Sequence, residues 1–424
     1  MAALADYDEV HRELWPDQRV VDESFEGAPL YGLIRKDPAM GEKVRHIALQ
    51  YGRPQGRSRT FATAQSNADS SKYEEFQIKT VDDYGVGTLT GKLLRSSKIG
   101  GAMLVDAMDR ETQSAFAQVR RSAHIGIFGN ASGARGVIAS GGITDGSGIA
   151  TITLANAADI KNFEVGQSLV AAATELGSLR AATAYPIQSL NLAAGTLVVT
   201  GTAAATSSWA AGDTLFTEGD AANGASFTGL PGPMLAGLSA WIPTTAPTST
   251  AFFGVDRSVD SVRLGGWRFT AAGLGATTIF ETIMRGCSAM SRAGDMKAPD
   301  IAVLNGEDYG ELLADIAATS AGNGESIKRK ADKADVYYSG VRIHTPIGPV
   351  DVFHDPQCPQ GRGYLLNLSS WTLGSIGQVP FFVEEDGLRI LRSSSADSYE
   401  FRMAYHAQLY CNAPLWNAVL TWPT

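Results

Sequence analysis

The chain has 424 residues, 44% of them hydrophobic and 19% charged, a balance that excludes a disordered chain and allows a large core in two or three domains. Its formal net charge of −9 argues against a whole surface built to hold nucleic acid, although Arg53, Arg57 and Arg59 form a local basic strip. No run approaches the roughly 18 apolar residues of a membrane span, and the opening residues, with Asp6, Asp8 and Glu9, lack the apolar segment of a signal peptide.

Residues 1–50 mix acids, bases and prolines without a sustained period and read as an extended arm. From Tyr51 to about Asp83 the chain is polar, weakly β-like near Tyr73–Ile78, and long enough to be a projecting functional loop. The clearest helix is predicted over Gly100–Phe128. Leu104, Met108, Ala115, Val119 and Ala123 recur along it at helical spacing. Acids such as Asp106, Asp109 and Glu111 fall early, and Arg120 and Arg121 fall late, which suits the helix dipole. Gly129 and the run Asn130–Gly136 end it.

Composition then shifts toward Ala, Thr and Gly. Strands are predicted at Ile149–Leu154, Ser168–Ala172, Ile187–Leu192 and Thr196–Thr200. An internal echo links Phe163-Glu-Val-Gly166 with Trp209-Ala-Ala-Gly212: each puts a ring three residues before a glycine turn and then starts an apolar strand. A β-barrel or sandwich over 137–222 is expected. Prolines punctuate 224–266. A helix follows over Gly275–Arg292, with Ile279, Ile283, Met284, Cys287 and Met290 along one side. Next come strand Ile301–Leu304, Asn305, a helix through Tyr309, Leu312, Leu313 and Ile316, and strands at Val341–His344, Val350–Phe353 and Tyr364–Asn367.

From Tyr399 to Cys411 every odd-numbered residue is apolar, and polar groups such as Glu400, Arg402, His406 and Gln408 stand between them. Period two over such a length predicts a strand of roughly 40 Å, far beyond the usual five or six residues. Such a strand needs an equally long cover, and the predicted helix has a matching length.

Gly85-Val-Gly-Thr-Leu-Thr-Gly91-Lys92 imitates a phosphate loop, but Val86 stands where the first glycine is required and Leu93 where the hydroxyl is. Gly126–Gly136 follows a helix, where a dinucleotide fingerprint would follow a strand. His344, Asp351, His354, Asp355 and Cys358 are the best metal candidates, yet their spacing fits no zinc pattern and a polar loop is the plainer reading. Gly237-Leu-Ser-Ala-Trp241 lacks the last glycine of a nucleophile elbow. Glu384, Glu385 and Asp386 read as a solvated hairpin tip. Cys287, Cys358 and Cys411 are unpaired in spacing and expected to be reduced and buried, as in a cytosol. No catalytic, cofactor-binding or metal site is expected, and the inventory points to a structural protein.

The order of parts resembles the major capsid protein of tailed bacteriophages, a fold shared with encapsulin shells. The resemblance rests on Ile301-Ala-Val-Leu-Asn305 before a helix, on Tyr364-Leu-Leu-Asn-Leu followed by Trp371 and Gly374, and on Asp397-Ser-Tyr-Glu with Arg402, Pro414 and the run Leu415–Leu420. It implies an α+β fold with an N-terminal arm (1–50), an extended β loop (51–95), a long spine helix (96–136), an inserted all-β domain (137–222), a peripheral domain (223–297 and 386–424) and an axial domain (298–385). It implies assembly into hexamers and pentamers of a virion head enclosing double-stranded DNA, formed in a host cytoplasm. The partners would be a separate scaffolding protein, a portal and decoration proteins, with non-specific DNA contact on the inner face and no membrane. Some relatives cross-link subunits through a loop lysine and a strand glutamate. Here Lys72 and Lys79 lie in the loop, but no acid follows Glu400, so cross-linking is not expected. The competing readings are an encapsulin-like compartment shell, a carbohydrate-binding or adhesive β protein acting through 137–220, and an enzyme using the His344–Cys358 cluster.

Overall fold

A computed structural model describes residues 29–40, 44–91, 103–146, 148–200, 208–227, 229–294, 296–323, 341–383, 390–392 and 396–423. The odd–even stripe forms one strand of 14 residues, Ser398–Cys411. Its main partner is Val81–Thr90, paired antiparallel from Ser398↔Thr90 to Ala407↔Val81. On its other edge it takes Trp371–Ser375, which in turn pairs in parallel with Arg35–Asp37. The first half of the strand keeps its wet face, with Arg402 exposed, but Ala404, Gln408 and Tyr410 are buried. Met40 and Arg45 cover that end: Arg45 lies 4.9 Å over the Tyr410 ring, and Met40 packs at Gly374 beside it.

The odd face lies under the long helix, Met103–Phe128, whose 26 residues at 1.5 Å give roughly 39 Å. Ala115 and Phe116 pack on Leu89, Phe401 and Met403, and Phe116 meets Phe382 edge-on at 4.9 Å. Val119 and Ala123 are buried, whereas the side chains of Leu104 and Met108 lie outside the described residues. Burial of side chains such as Phe401 and Met403 contributes about 1.5–3 kcal/mol each. The helix ends where the Asn130 side-chain oxygen Oδ1 accepts from the Ser132 backbone N–H (3.2 Å) and hydroxyl (2.6 Å).

Arg45–Gly52, inside the stretch expected to be an extended arm, pairs antiparallel with Lys72–Ile78 from the polar stretch, so a two-stranded hairpin crosses the expected boundary at residue 50. Phe76 and Ile78 anchor its base in the main core. A short helix, Phe61–Ser66, sits in the connection.

Residues 136–217 include a closed six-stranded barrel in the order Thr214–Thr217, Gly136–Gly146, Ile149–Leu154, Thr196–Thr200, Tyr185–Asn191, Ser168–Ala172. The sequence echo acquires a physical meaning here. Phe163 and Trp209 both enter the barrel core, and Gly166 and Gly212 both take left-handed φ, 88° and 86°, which favours glycine. The strands they launch are neighbours, with Leu215 opposite Ala171.

A second sheet of six strands runs Trp267–Thr270, Ala418–Thr421, Arg362–Leu366, Ile301–Leu304, Gly348–His354, Val341–Thr345. It draws strands from 223–297, 298–385 and 386–424 alike. Helices Ile279–Met290 and Gly306–Asn323 cover it, and Ile279, Ile283, Cys287 and Met290 form the buried side of the first. Thr278 caps that helix through the Glu281 N–H (3.2 Å), and Asn305 accepts from the Glu307 N–H (3.0 Å) at the start of the second. The two large sheets are tied at buried Asn417. Its side-chain oxygen accepts from the Asn367 N–H (2.8 Å) and the Trp371 indole (2.9 Å).

Candidate assembly surface

The five metal candidates do not converge. His344 and His354 are exposed, and His354 lies against the Tyr309 ring with centroids 5.6 Å apart. Asp351 is held in a forked pair by Arg342 at 2.5 and 2.6 Å. The Cys358 thiol points at the carbonyls of Val303 (3.8 Å) and Arg362 (3.7 Å), and burial raises it well above its ordinary value. Among the described residues no group of three or more His, Cys, Asp or Glu is placed to hold a metal ion.

Asp355 has a different task. Fully buried, it meets His124 Nε2 at 3.0 Å and accepts the backbone N–H groups of Gln357 (2.9 Å) and Leu30 (3.3 Å). Lys161, from the barrel segment, donates to the carbonyls of the adjoining Pro356 and Cys358. Leu30, the long helix, the barrel segment and the six-stranded sheet therefore meet within a few residues. A second polar seam lies where the barrel begins and ends: Arg135 pairs with Asp220 at 3.0 Å and donates to Ser122 on the long helix at 3.2 Å. Burial holds Asp220 above the usual carboxylate range against the pull of Arg135, and burial also raises nearby Asp83. Sequence reasoning missed His124. The available signal was its position next to Ala123 on the buried face of the helix.

The glycine-rich run is packing. A Cβ at Gly85 would stand 2.6 Å from Val119 Cγ2, and one at Gly91 would stand 2.4 Å from Asp397 Oδ1. These glycines let the long helix approach the backbone of Val81–Thr90, and let Asp397, just before the closing strand Ser398–Cys411, approach Gly91, the residue that follows Val81–Thr90. Glu384, Glu385 and Asp386 lie outside the described residues. Cys287, Cys358 and Cys411 are free and buried.

What remains open is surface. The two-stranded hairpin carries Phe61, 81% exposed, and Tyr73, 62% exposed, with Arg53, Arg57 and Arg59 along the same connection. A two-stranded ribbon is marginal alone in water and gains stability by packing on something else. Large exposed rings beside cations describe a contact surface better than a solvated loop. Lys72 is engaged with Asp69 at 3.3 Å, and on the described part of the closing strand Glu400 is held by Arg402.

No family model matches the chain, and no curated protein matches it. Among solved structures it is similar to a chain of the cyanophage A-1(L) capsid asymmetric unit, at 12% identity and TM-score 0.52, with 93% of this chain and 92% of that chain covered. A chain from the capsid of a native GTA particle gives 8% identity, 100% and 99% coverage and TM-score 0.46. One from the capsid of cyanophage P-SCSP1u gives 7% identity, 97% and 93% coverage and TM-score 0.41. The protein thus has an α+β fold, shared along nearly its whole length with the A-1(L) capsid chain.

Proposed function

We propose that the chain is a major capsid protein of a tailed bacteriophage, assembling into hexamers and pentamers that close an icosahedral or prolate head around double-stranded DNA. One observation carries this reading: the fold agrees with the A-1(L) capsid chain over 93% of this chain, with the long helix laid on the long terminal strand. A rigid plate of this kind supplies span rather than a cleft. The hairpin gives each copy a projecting contact that fits a second copy, and head-to-tail contacts of that type close into rings. Many modest contacts then hold a shell without any single strong one.

In this reading 1–50 is the arm, 51–95 the extended loop, 96–136 the spine, 137–222 an inserted domain on the outer face, 298–385 the axial domain, and 223–297 with 386–424 the peripheral domain. A separate scaffold, a portal and decoration proteins are the expected partners, and DNA contact is confined to the inner face of the virion. An adhesive, carbohydrate-binding role is less well supported, because Phe163, Tyr185, Trp209 and Phe216, the rings of the barrel segment, are all buried. None is left as a platform for a sugar.

The test is sedimentation of the full chain through a density gradient after expression with and without a candidate scaffold. Fast-sedimenting capsomers or shells are expected. A monomer under every condition would count against the proposal.

A further inference from the structure

The stretch 244–292 is short of acids for its cations. It holds five arginines against three acids, a net +2 in a chain of net −9. All three acids are engaged. Asp260 pairs with Arg263 and Glu281 with Arg285, both at 3.5 Å, and Asp256 accepts from the Ser258 backbone N–H (2.8 Å) and hydroxyl (2.6 Å). Arg257, Arg268 and Arg292 are left without a carboxylate among the described residues. Arg257 is 8% exposed: its guanidinium donates to the carbonyls of Ala240 and Trp241 (2.9 Å each), lies 3.7 Å over the Phe252 ring and leaves Nε unpartnered. Arg268 is half-buried and held by carbonyls alone. Its Nη1 donates to Ser261 and Gly266 (3.0 Å each), and Nη2 donates to Ser261 and Gly265. Burial lowers both guanidinium groups from their ordinary value, and Arg268 adds repulsion at Arg257. A charge taken from water without a counter-charge is costly, so such a place calls for an anion.

There is open space to receive one. Arg268 and exposed Arg292 line a cleft of about 530 Å³ with Thr244, Ser261, Thr270 and Thr421, within the roughly 300–1,000 Å³ of small-ligand sites. None of its described lining residues is acidic. The Thr244 and Ser261 hydroxyls have no hydrogen-bond partner among the described residues. Thr270 Oγ1 accepts from the Gly273 N–H (3.0 Å) and keeps its own proton to donate. Arg268 Nε–H is open too, since the carbonyls take Nη1 and Nη2. We infer that this cleft binds a free tetrahedral oxyanion of the phosphate class, held by the guanidinium groups of Arg268 and Arg292 and by the hydroxyls of Thr244, Ser261 and Thr270. Charged N–H donors make the strongest hydrogen bonds to such an oxyanion, and the planar guanidinium matches its geometry. The carbonyl contacts fix the plane of Arg268 before the anion arrives, so little side-chain freedom is lost on binding. A track for duplex nucleic acid neutralises several phosphates in a row. Here two reachable guanidinium groups face one cleft, which suits a single anion.

The test is calorimetric titration of inorganic phosphate into the full-length chain at constant ionic strength in chloride, with the melting temperature followed in parallel. Saturable binding of one phosphate per chain is expected, with a melting temperature that rises with phosphate and not with chloride. Arg292→Ala, at the exposed rim, should weaken binding about tenfold, the order expected for losing a hydrogen bond to a charged group. Arg342→Ala removes an exposed arginine paired with Asp351 at the opposite edge of the same sheet and should leave binding unchanged. Arg268→Lys keeps the charge, loses the planar fork and should weaken binding as well. If that variant does not fold, Arg292→Ala against Arg342→Ala decides alone. Absence of saturable binding to the native chain would overturn the site, and so would binding that survives Arg292→Ala undiminished. A short DNA duplex is expected not to displace the phosphate. Displacement by the duplex, itself weakened by Arg292→Ala, would assign the cleft to nucleic acid and overturn the proposal.

Discussion

Gly87 lies directly beneath the ring of Phe401, its partner across the two long strands: a Cβ at position 87 would stand 1.9 Å from Cζ. An aromatic ring laid over a cross-strand glycine covers backbone that would otherwise be open, and fills the space under the helix. Gly87→Ala should therefore destabilise by about 1–3 kcal/mol or more, as expected for overpacking a well-filled site. Denaturant unfolding of the pair Gly87→Ala and Phe401→Leu, singly and together, checks the cause. The combined loss should be smaller than the sum, since the shorter side chain relieves the clash.

Removing one partner of the His124–Asp355 pair leaves an uncompensated polar group where the Leu30 segment, the long helix and the sheet meet. Asp355→Ala should cost about 3–5 kcal/mol, the range for breaking a buried pair. Proteolysis should show cleavage near Leu30 before the sheets unfold, because the Leu30 backbone loses its anchor at Asp355. Equal protection of that site in variant and native chains would contradict the anchoring role.

Asp159 is pushed up to about 6 by burial, against the pull of Lys161 and Arg362. Because the folded chain binds this proton more tightly than the unfolded one, the contribution is full below about pH 4 and lost as pH rises toward about 6. Asp159→Asn, which mimics the protonated group, should raise the melting temperature at pH 7.5 and leave it unchanged at pH 3.5. A variant less stable than the native chain at pH 7.5 would reverse the sign and reject the burial argument.

Burial pushes the Cys287 thiol up to about 11 and the Cys411 thiol up to about 12, and it raises Cys358 well above the ordinary value. Thiolate is the reactive form, so a coloured disulfide reagent at pH 8 should label none of the three in native protein and all three in denaturant. Labelling of Cys411 in native protein would mean that the closing strand opens.

Periodicity made much of this fold legible. The long helix, the closing strand, the helix carrying Ile279 to Met290 and most barrel strands appear where apolar residues recur at 3.6 or 2. Strands whose inward positions are glycine were not legible. Val81–Thr90 places Gly85 and Gly87 where a pattern search requires large apolar groups, so the main partner of the closing strand read as loop. In Gly136–Gly146 the pairing register shifts between Ile138 and Ile143, around Gly141 and Gly142, and the alternation breaks there. The polar cluster near His344 was legible as residues and misleading as a site. Asp355 finds His124, 231 residues away, and only the tertiary fold brings the two together. The exposed hairpin was legible as a long polar stretch, whereas Phe61 at its tip is informative only once its exposure is known.

Electron microscopy of the full chain, purified alone and with a scaffold, tests the capsid assignment most directly. The expected images are rings of five and six copies and closed shells, with a projection on each subunit where the barrel stands. A uniform population of monomers in both preparations would contradict it.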